Sequence, residues 1–249
     1  MEALVKNLFA PGERGSVPAY GTFSDRFYEI ALEAGLVVER LDFPYGDTPR
    51  PEDVAKEGYA GLLLVHSETS TGALAAAGGS QKGLMCPPGL GFVALSPRAL
   101  ERLKPRGYYL DLARELKAQK EGESAWTPAI NLVRAVAAVL EAVLPRLEEH
   151  LALKAWQNAL LYGVGEEGGL RPVPKRFSPA VAAFYLPEGV PYARVKEAFA
   201  RRGAVIAGGQ GPLKGKVFRL SLMGAYDRYE ALGVAAMFRE VLEEILPAS

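Results

Sequence analysis

Residues 61–72 read GLLLVHSETSTG. Gly61 to His66 (GLLLVH) is apolar at consecutive positions, hence on both faces of an extended chain, as a strand covered on both sides in a parallel sheet requires. The run from His66 to Gly72 is rich in hydroxyls and follows the carboxyl end of that strand, where α/β folds hold ligands. The same run also reads as an ordinary Ser/Thr turn.

Outward from this point, β-rich runs alternate with helical patterns, and the alternation predicts an α/β fold. Upstream, Met1 to Ala10 reads as a helix closed by Pro11-Gly12 and beginning inside its own pattern, without an N-cap. Arg14 to Tyr20 is a weak strand, lowered by Gly15, Ser16 and Pro18. Thr22 to Ala34 carries Phe23, Phe27, Ile30 and Ala34 at helical spacing, with Gly35 as its stop. Leu36 to Phe43 reads as a strand and Pro49 to Glu57 as a short helix. Downstream, Gly72 to Gly83 (GALAAAGGSQKG) is small and flexible, Gly89 to Ser96 is a buried strand, and Pro97 to Leu103 starts a helix. Pro128 to Leu161 is helical, with Pro145 expected to break or kink it.

Gly, Pro and charge dominate from Gly163 to Pro179, which places a domain boundary there. Residues 1–162 form the large domain, a mainly parallel sheet with helices on both faces. Residues 163–249 form a small α+β domain: strand Val181 to Leu186, helix Pro191 to Arg202, strands Ala204 to Ala207 and Val217 to Leu222, helix Tyr226 to Leu246.

Composition bounds the function. The chain has 249 residues, 49% of them hydrophobic and 23% charged, enough to bury a full core. Lys+Arg 29 against Asp+Glu 29 leaves no basic excess for a nucleic-acid backbone. One cysteine excludes a disulfide framework and fits a reducing, cytoplasmic compartment. His66 and His150 lie far apart and no HExxH occurs, so no metal site is expected. No apolar run reaches the roughly 20 residues that span a bilayer, and no signal-peptide pattern opens the chain.

Several motifs fail. Gly208 to Lys216 (GGQGPLKGK) resembles a phosphate loop, but Gln210 and Val217 stand where that loop needs its first glycine and its Ser/Thr. No GxGxxG follows a strand and no GxSxG is present. Cys86, between Met85 and Pro87 with no histidine nearby, reads as a bystander thiol. Three segments remain: residues 66–72, Gly79-Ser80-Gln81-Lys82-Gly83, and Val217 to Gly224 (VFRLSLMG). Lys82 reads either as a solvated loop charge or as an amine nucleophile activated by desolvation or a cationic neighbour. Arg219, among alternating apolar residues, either lies at a solvated edge or offers its fork to a carboxylate.

Together these segments, HSETSTG at 66–72, GSQKGLMCPPGLGFVALS at 79–96 and FRLSLMG at 218–224, resemble the class V pyridoxal-phosphate aminotransferases of fold type I. The resemblance covers nearly the whole chain. It implies transfer of an amino group between an amino acid and a 2-oxo acid, with pyridoxal 5'-phosphate held as a Schiff base on Lys82. It further implies that Gln81 contacts the cofactor phosphate, that Phe23 stacks on the pyridine ring, and that Ser70 or Thr71 bonds near the ring hydroxyl. Thr127 would reach the phosphate across a homodimer interface, and Arg219 would bind the substrate carboxylate. These residue types suit these tasks.

The chain departs from the family pattern in two places. The Gly- and Ser/Thr-rich turn that cradles the phosphate at a helix N-terminus is expected before Met1. Between the STG turn and the SQK motif the family has further helices and strands, including an aspartate that pairs with the pyridine nitrogen. Here seven residues separate Gly72 from Ser80 and none is acidic. Extended, they span roughly 25 Å, about five strand spacings, so Ala75-Ala76-Ala77-Gly78-Gly79 reads as a flexible bridge in a shortened family member. Two alternatives follow: a catalytically inactive scaffold of the same fold that binds cofactor weakly or not at all, and a desulfurase-type lyase, for which Cys86 is badly placed.

Overall fold

The computed structural model describes residues 1–47, 49–54, 58–65, 75–175 and 177–246. The chain divides into two compact units, Met1–Val139 and Leu140–Ser249.

The first unit opens with α1 (Glu2–Leu8), which buries Leu4, Val5 and Asn7. Asn7 is tolerated in the core because its polar atoms are paired. Its amide donates to the carbonyls of Ala3 (2.8 Å) and Leu110 (2.7 Å), and its Oδ1 accepts from Leu112 N–H (3.1 Å). Then follow β1 (Arg14–Ala19), α2 (Thr22–Glu33), β2 (Val37–Asp42), α3 (Pro51–Val54) and β3 (Gly61–Leu62). The strands form a parallel sheet in the order β2-β1-β3, as the α/β reading requires.

β1, weakest by propensity, is the central strand, and all its residues after Arg14 are buried. Burial overrides composition here. Pro18 costs nothing because of register: even-numbered residues of β1 face β3, and that pairing ends at Ser16↔Leu62, so the missing N–H falls beyond the ladder. The core of this unit gathers Val5, Val17, Phe27, Ala31, Leu36, Leu63 and Val65. The expected strand from Gly61 to His66 is regular only over Gly61–Leu62, and His66 lies outside the described residues.

β4 (Ala75–Gly79) and β5 (Gly91–Leu95) pair antiparallel from Ala75↔Leu95 to Gly79↔Gly91. The segment expected to be a flexible bridge is therefore a strand: antiparallel pairing along five residues outweighs the poor strand propensity of Ala and Gly. Among the described residues these two strands form a sheet separate from β2-β1-β3. The unit continues with α4 (Pro97–Arg102), α5 (Leu112–Lys120) and α6 (Ile130–Val143). α5 was not anticipated, although Asp111 caps it by accepting from Ala113 N–H (2.9 Å) and Arg114 N–H (3.0 Å).

In the second unit Pro145 lies in a 3₁₀ turn, Leu144–Arg146, before α7 (Leu147–Glu167), as its ring demands. α7 runs past the expected end at Leu161. Gly163 and Gly165 do not stop it, and at Gly165 a side chain would collide with the Phe184 ring, so the glycine serves packing. β6 (Ala182–Tyr185), α8 (Tyr192–Ala200), β7 (Ala207–Gly208), β8 (Val217–Leu220) and α9 (Arg228–Ile245) complete it. The sheet is antiparallel in the order β6-β8-β7. Its core is aromatic: Phe184, Phe199, Phe218 and Phe238 are all fully buried. No helix among the described residues is long and apolar enough to cross a membrane.

Candidate functional site

Lys82 lies in the loop joining β4 to β5, and Ser80 locks the base of that loop. The completely buried Ser80 uses each of its polar groups. Its N–H donates to Leu90 O (3.1 Å) and its carbonyl accepts from Cys86 N–H (3.0 Å). Its hydroxyl donates to Pro87 O (2.6 Å) and accepts from Leu90 N–H (3.3 Å). Within the loop Met85 N–H donates to Lys82 O (2.9 Å), closing a turn that puts Met85 at φ 54°. At Gly89, φ 143°, an added Cβ would stand 2.6 Å from Leu132 Cδ1 of α6, so the helix props the far side of the loop.

The Lys82 side chain is exposed on this anchored loop. Gln81 folds back over the strand end, its Oε1 2.5 Å from where a Cβ on Gly79 would be. Cys86 is a buried free thiol.

Phe23 opens α2 at the carboxyl end of β1. Ser24 builds that turn: its hydroxyl accepts from the N–H groups of Tyr20 and Gly21 (both 3.0 Å) and donates to Gly21 O (2.7 Å). Tyr20 OH donates to Val65 O (2.9 Å), joining this turn to the chain just ahead of residues 66–72. Phe23 is 41% exposed, with the Arg26 guanidinium 5.4 Å from its ring centroid. Ser70 and Thr71 lie outside the described residues. Thr127 is exposed, beside Trp126, whose ring meets Tyr108 (5.0 Å) and Tyr109 (5.5 Å). Among the described residues no hydrogen bond joins Phe23, Gln81, Lys82 and Thr127 to one another.

In the second unit Arg219 sits on β8, the central strand, half-buried; the solvated-edge reading is corrected, because β6 and β7 flank it. Its Nε donates to Gly208 O (3.0 Å), and its two terminal nitrogens bond no other described residue. The chain after β8 is held by two α7 side chains that sequence reasoning missed. Lys154 Nζ donates to Leu222 O (3.0 Å), Gly224 O (2.6 Å) and Gln157 Oε1 (3.0 Å). Gln157 Nε2 donates to Tyr226 O (2.7 Å). Burial holds the Lys154 ammonium below the usual lysine range, with Glu230 acting the other way. The available signal was a Lys and a Gln three apart on an apolar helix face. A groove lined by Ala152, Leu153, Asp227 and Tyr229 contains none of the expected site residues.

The chain is 82% identical to the aspartate aminotransferase of subgroup IV from Thermus thermophilus, with a TM-score of 0.95, covering 98% of this chain and 82% of that one. It is 26% identical to a serine–glyoxylate aminotransferase of Methylorubrum extorquens, over 94% of this chain and 73% of the relative. The chain belongs to the class V aminotransferases. These enzymes work with pyridoxal phosphate, and their fold is the fold type I of pyridoxal-phosphate transferases. A further relative, 28% identical over 98% of this chain and 77% of its own length, is the small subunit of a soluble hydrogenase from a Synechococcus species. No family model matches the chain.

That last alignment runs over 301 residues although this class V chain has 249, so the relative carries residues within the aligned region that have no counterpart here. The residue types of the first unit nonetheless suit the cofactor: an exposed amine on a locked loop and a partly exposed aromatic ring. The ring nitrogen is the exception. Asp25 is taken by Arg40 and Tyr45, Asp42 by Arg40, and Asp53 by Arg50 N–H. Asp111 and Asp227 cap α5 and α9. Each of these five already has a partner. Among the described residues no cluster of His, Cys, Asp or Glu could hold a metal ion.

Proposed function

We propose that the chain transfers an amino group between an amino acid and a 2-oxo acid, with pyridoxal phosphate attached at Lys82. The observation that carries this reading is the Lys82 loop: a primary amine free in solvent on a backbone that Ser80 and Gly89 hold fixed. When bound, the cofactor supplies an electron-withdrawing ring that lets a proton leave the amino acid's Cα. Lys82 attaches the cofactor and, once released from it, moves that proton. Phe23 stacks on the ring, Gln81 and Thr127 reach the phosphate, and Ser70 or Thr71 bonds the ring hydroxyl. Arg219 binds the substrate carboxylate. In this reading residues 1–162 bear the cofactor, and residues 163–249 form the small domain.

Aspartate is the first donor to test, since the 82% identical neighbour is an aspartate aminotransferase. A second copy of the chain fits the unpartnered side of α6. Ile130 (61% exposed), Val133 (49%) and Ala137 lie at i, i+3 and i+7 on one exposed face. We therefore infer a homodimer that covers this stripe, in a reducing cytoplasm suited to a lone cysteine. Nothing in the comparisons favours an inactive scaffold over this reading.

Adding pyridoxal phosphate should produce a visible absorbance band that Lys82→Ala lacks. Borohydride reduction should fix the added mass on the peptide containing Lys82. Added mass on another lysine, or a band of equal size in Lys82→Ala, would sink the assignment.

A further inference from the structure

The GGQGPLKGK stretch, 208–216, fails as a phosphate loop, yet its first two residues are tightly constrained. Gly208 pairs with Phe218 and Ala207 with Arg219 in the β7–β8 ladder, and Gly209 N–H donates to Val217 O (3.1 Å). A Cβ on Gly209 would collide with the Leu213 carbonyl, so the turn closes only with glycine there. A Cβ on Gly208 would stand 3.1–3.4 Å from three ring atoms of Tyr192. The ring, in the first turn of α8, therefore lies directly against the Gly208 backbone. The Gly208 carbonyl receives Arg219 Nε at 3.0 Å.

We propose that Gly208, held between the Tyr192 ring and the Gly209 turn, is the positioning residue for Arg219, and that it makes the guanidinium receive a carboxylate on its Nη1–Nη2 edge. With Nε committed to a backbone oxygen, the side-on mode through Nε and one terminal nitrogen is closed. The end-on fork remains, its plane set before the ligand arrives. This rests on the reading of Arg219 as the carboxylate-binding residue. It assigns a task to Tyr192, which touches no reacting group and acts through Gly208. Lysine would not reproduce this arrangement, because its ammonium lacks the planar, fixed pair of terminal donors that forks a carboxylate.

The test is calorimetric titration of the purified chain with pyruvate, with methyl pyruvate as the probe lacking a carboxylate. Circular dichroism checks that each variant is folded. Tyr192→Ala should weaken pyruvate binding about tenfold, the loss expected when one charge-assisted bond is misaligned. Tyr192→Phe, which keeps the ring, should restore it. In an Arg219→Ala background Tyr192→Ala should have no further effect, since the two act through one contact. If Arg219→Ala loses binding while Tyr192→Ala binds as the parent does, the positioning role is overturned and the carboxylate role survives. If the parent chain does not prefer pyruvate to methyl pyruvate, or Arg219→Ala binds as well as the parent, the reading of Arg219 falls and this proposal falls with it. An additional loss from Tyr192→Ala in the Arg219→Ala background would show a general structural effect and also overturn it.

Discussion

The two units solve the same packing problem with unequal means. In the second, Phe184 and Phe218 of one antiparallel sheet meet Phe199 of α8 and Phe238 of α9 in a single core, with neighbouring ring centroids 5.7–6.3 Å apart. In the first, the described strands form two separate sheets, and the core is built mostly from smaller residues such as Val5, Val17 and Ala31. The difference teaches what continuity of a sheet contributes. Short separate sheets leave their edges to be covered by other means, whereas an antiparallel sheet contiguous in sequence gathers its residues into one core. Stability should concentrate in 140–249, and the proposed chemistry at Lys82 in the less completed part.

The largest test of that contrast is truncation of a core ring in each unit. Phe218→Ala should cost about 3–5 kcal/mol, because three other buried rings surround the cavity it leaves. Phe27→Ala in the first unit should cost less, since Phe27 retains 8% exposure among smaller neighbours that can close in. Urea denaturation followed by circular dichroism measures both. Equal losses would mean that the two cores are equally well formed and would remove the contrast.

Two glycines one turn-edge apart on α7 sharpen it. An added methyl at Gly165 would run into the Phe184 ring, so Gly165→Ala should destabilise by about 1–3 kcal/mol through overpacking. Gly163 has open space within 4 Å of an added Cβ, so Gly163→Ala should be neutral or stabilise by up to about 1 kcal/mol from helix propensity. Opposite signs in paired melting curves confirm tight packing on the β6 side. A Gly165→Ala chain as stable as its parent would show that the core there can yield.

The alternation of elements was legible in the sequence because hydrophobic period is a local property: the helices around Phe27 and Val195 and the strands around Leu41, Phe184 and Phe218 all lie where the pattern puts them. What failed was non-local. Ala75–Gly79 has no strand propensity of its own, and only pairing with Gly91–Leu95 makes it a strand. Arg14–Ala19 looks weak because its stability comes from burial between neighbours. Gly163 and Gly165 read as a boundary because sequence does not reveal that a ring presses on one of them. At the site, Lys82, Gln81 and Arg219 were singled out by motif context, and their supports were not. Ser80, Tyr192 and Lys154 act through backbone carbonyls and amides distant in sequence, and no spacing rule marks such contacts.

The smallest expected effect separates the two units by acid response. Glu13 accepts from Ala10 N–H (2.8 Å) and from Arg102 Nη2 at both carboxylate oxygens (3.1 and 3.0 Å). The backbone bond from Ala10, followed by the Arg102 charge, holds its carboxyl below the ordinary 4.5. A lowered folded value means stability that is fully present above 4.5 and lost as pH falls through the folded value. In the second unit Glu244 is also lowered, by Arg202 and then Arg201, but its carboxylate binds only side chains at the surface. Glu13→Gln should cost about 1 kcal/mol at neutral pH after solvent screening, and below 4.5 its stability curve should converge on that of the parent. Glu244→Gln should shift the acid limb less, because no backbone group loses its partner. Urea midpoints of parent and both variants, taken from neutral pH downward, give the comparison. If Glu13→Gln runs parallel to the parent at every pH, the carboxylate contributes no proton-linked stability. The link from Arg102 to the turn before β1 would then be geometric only.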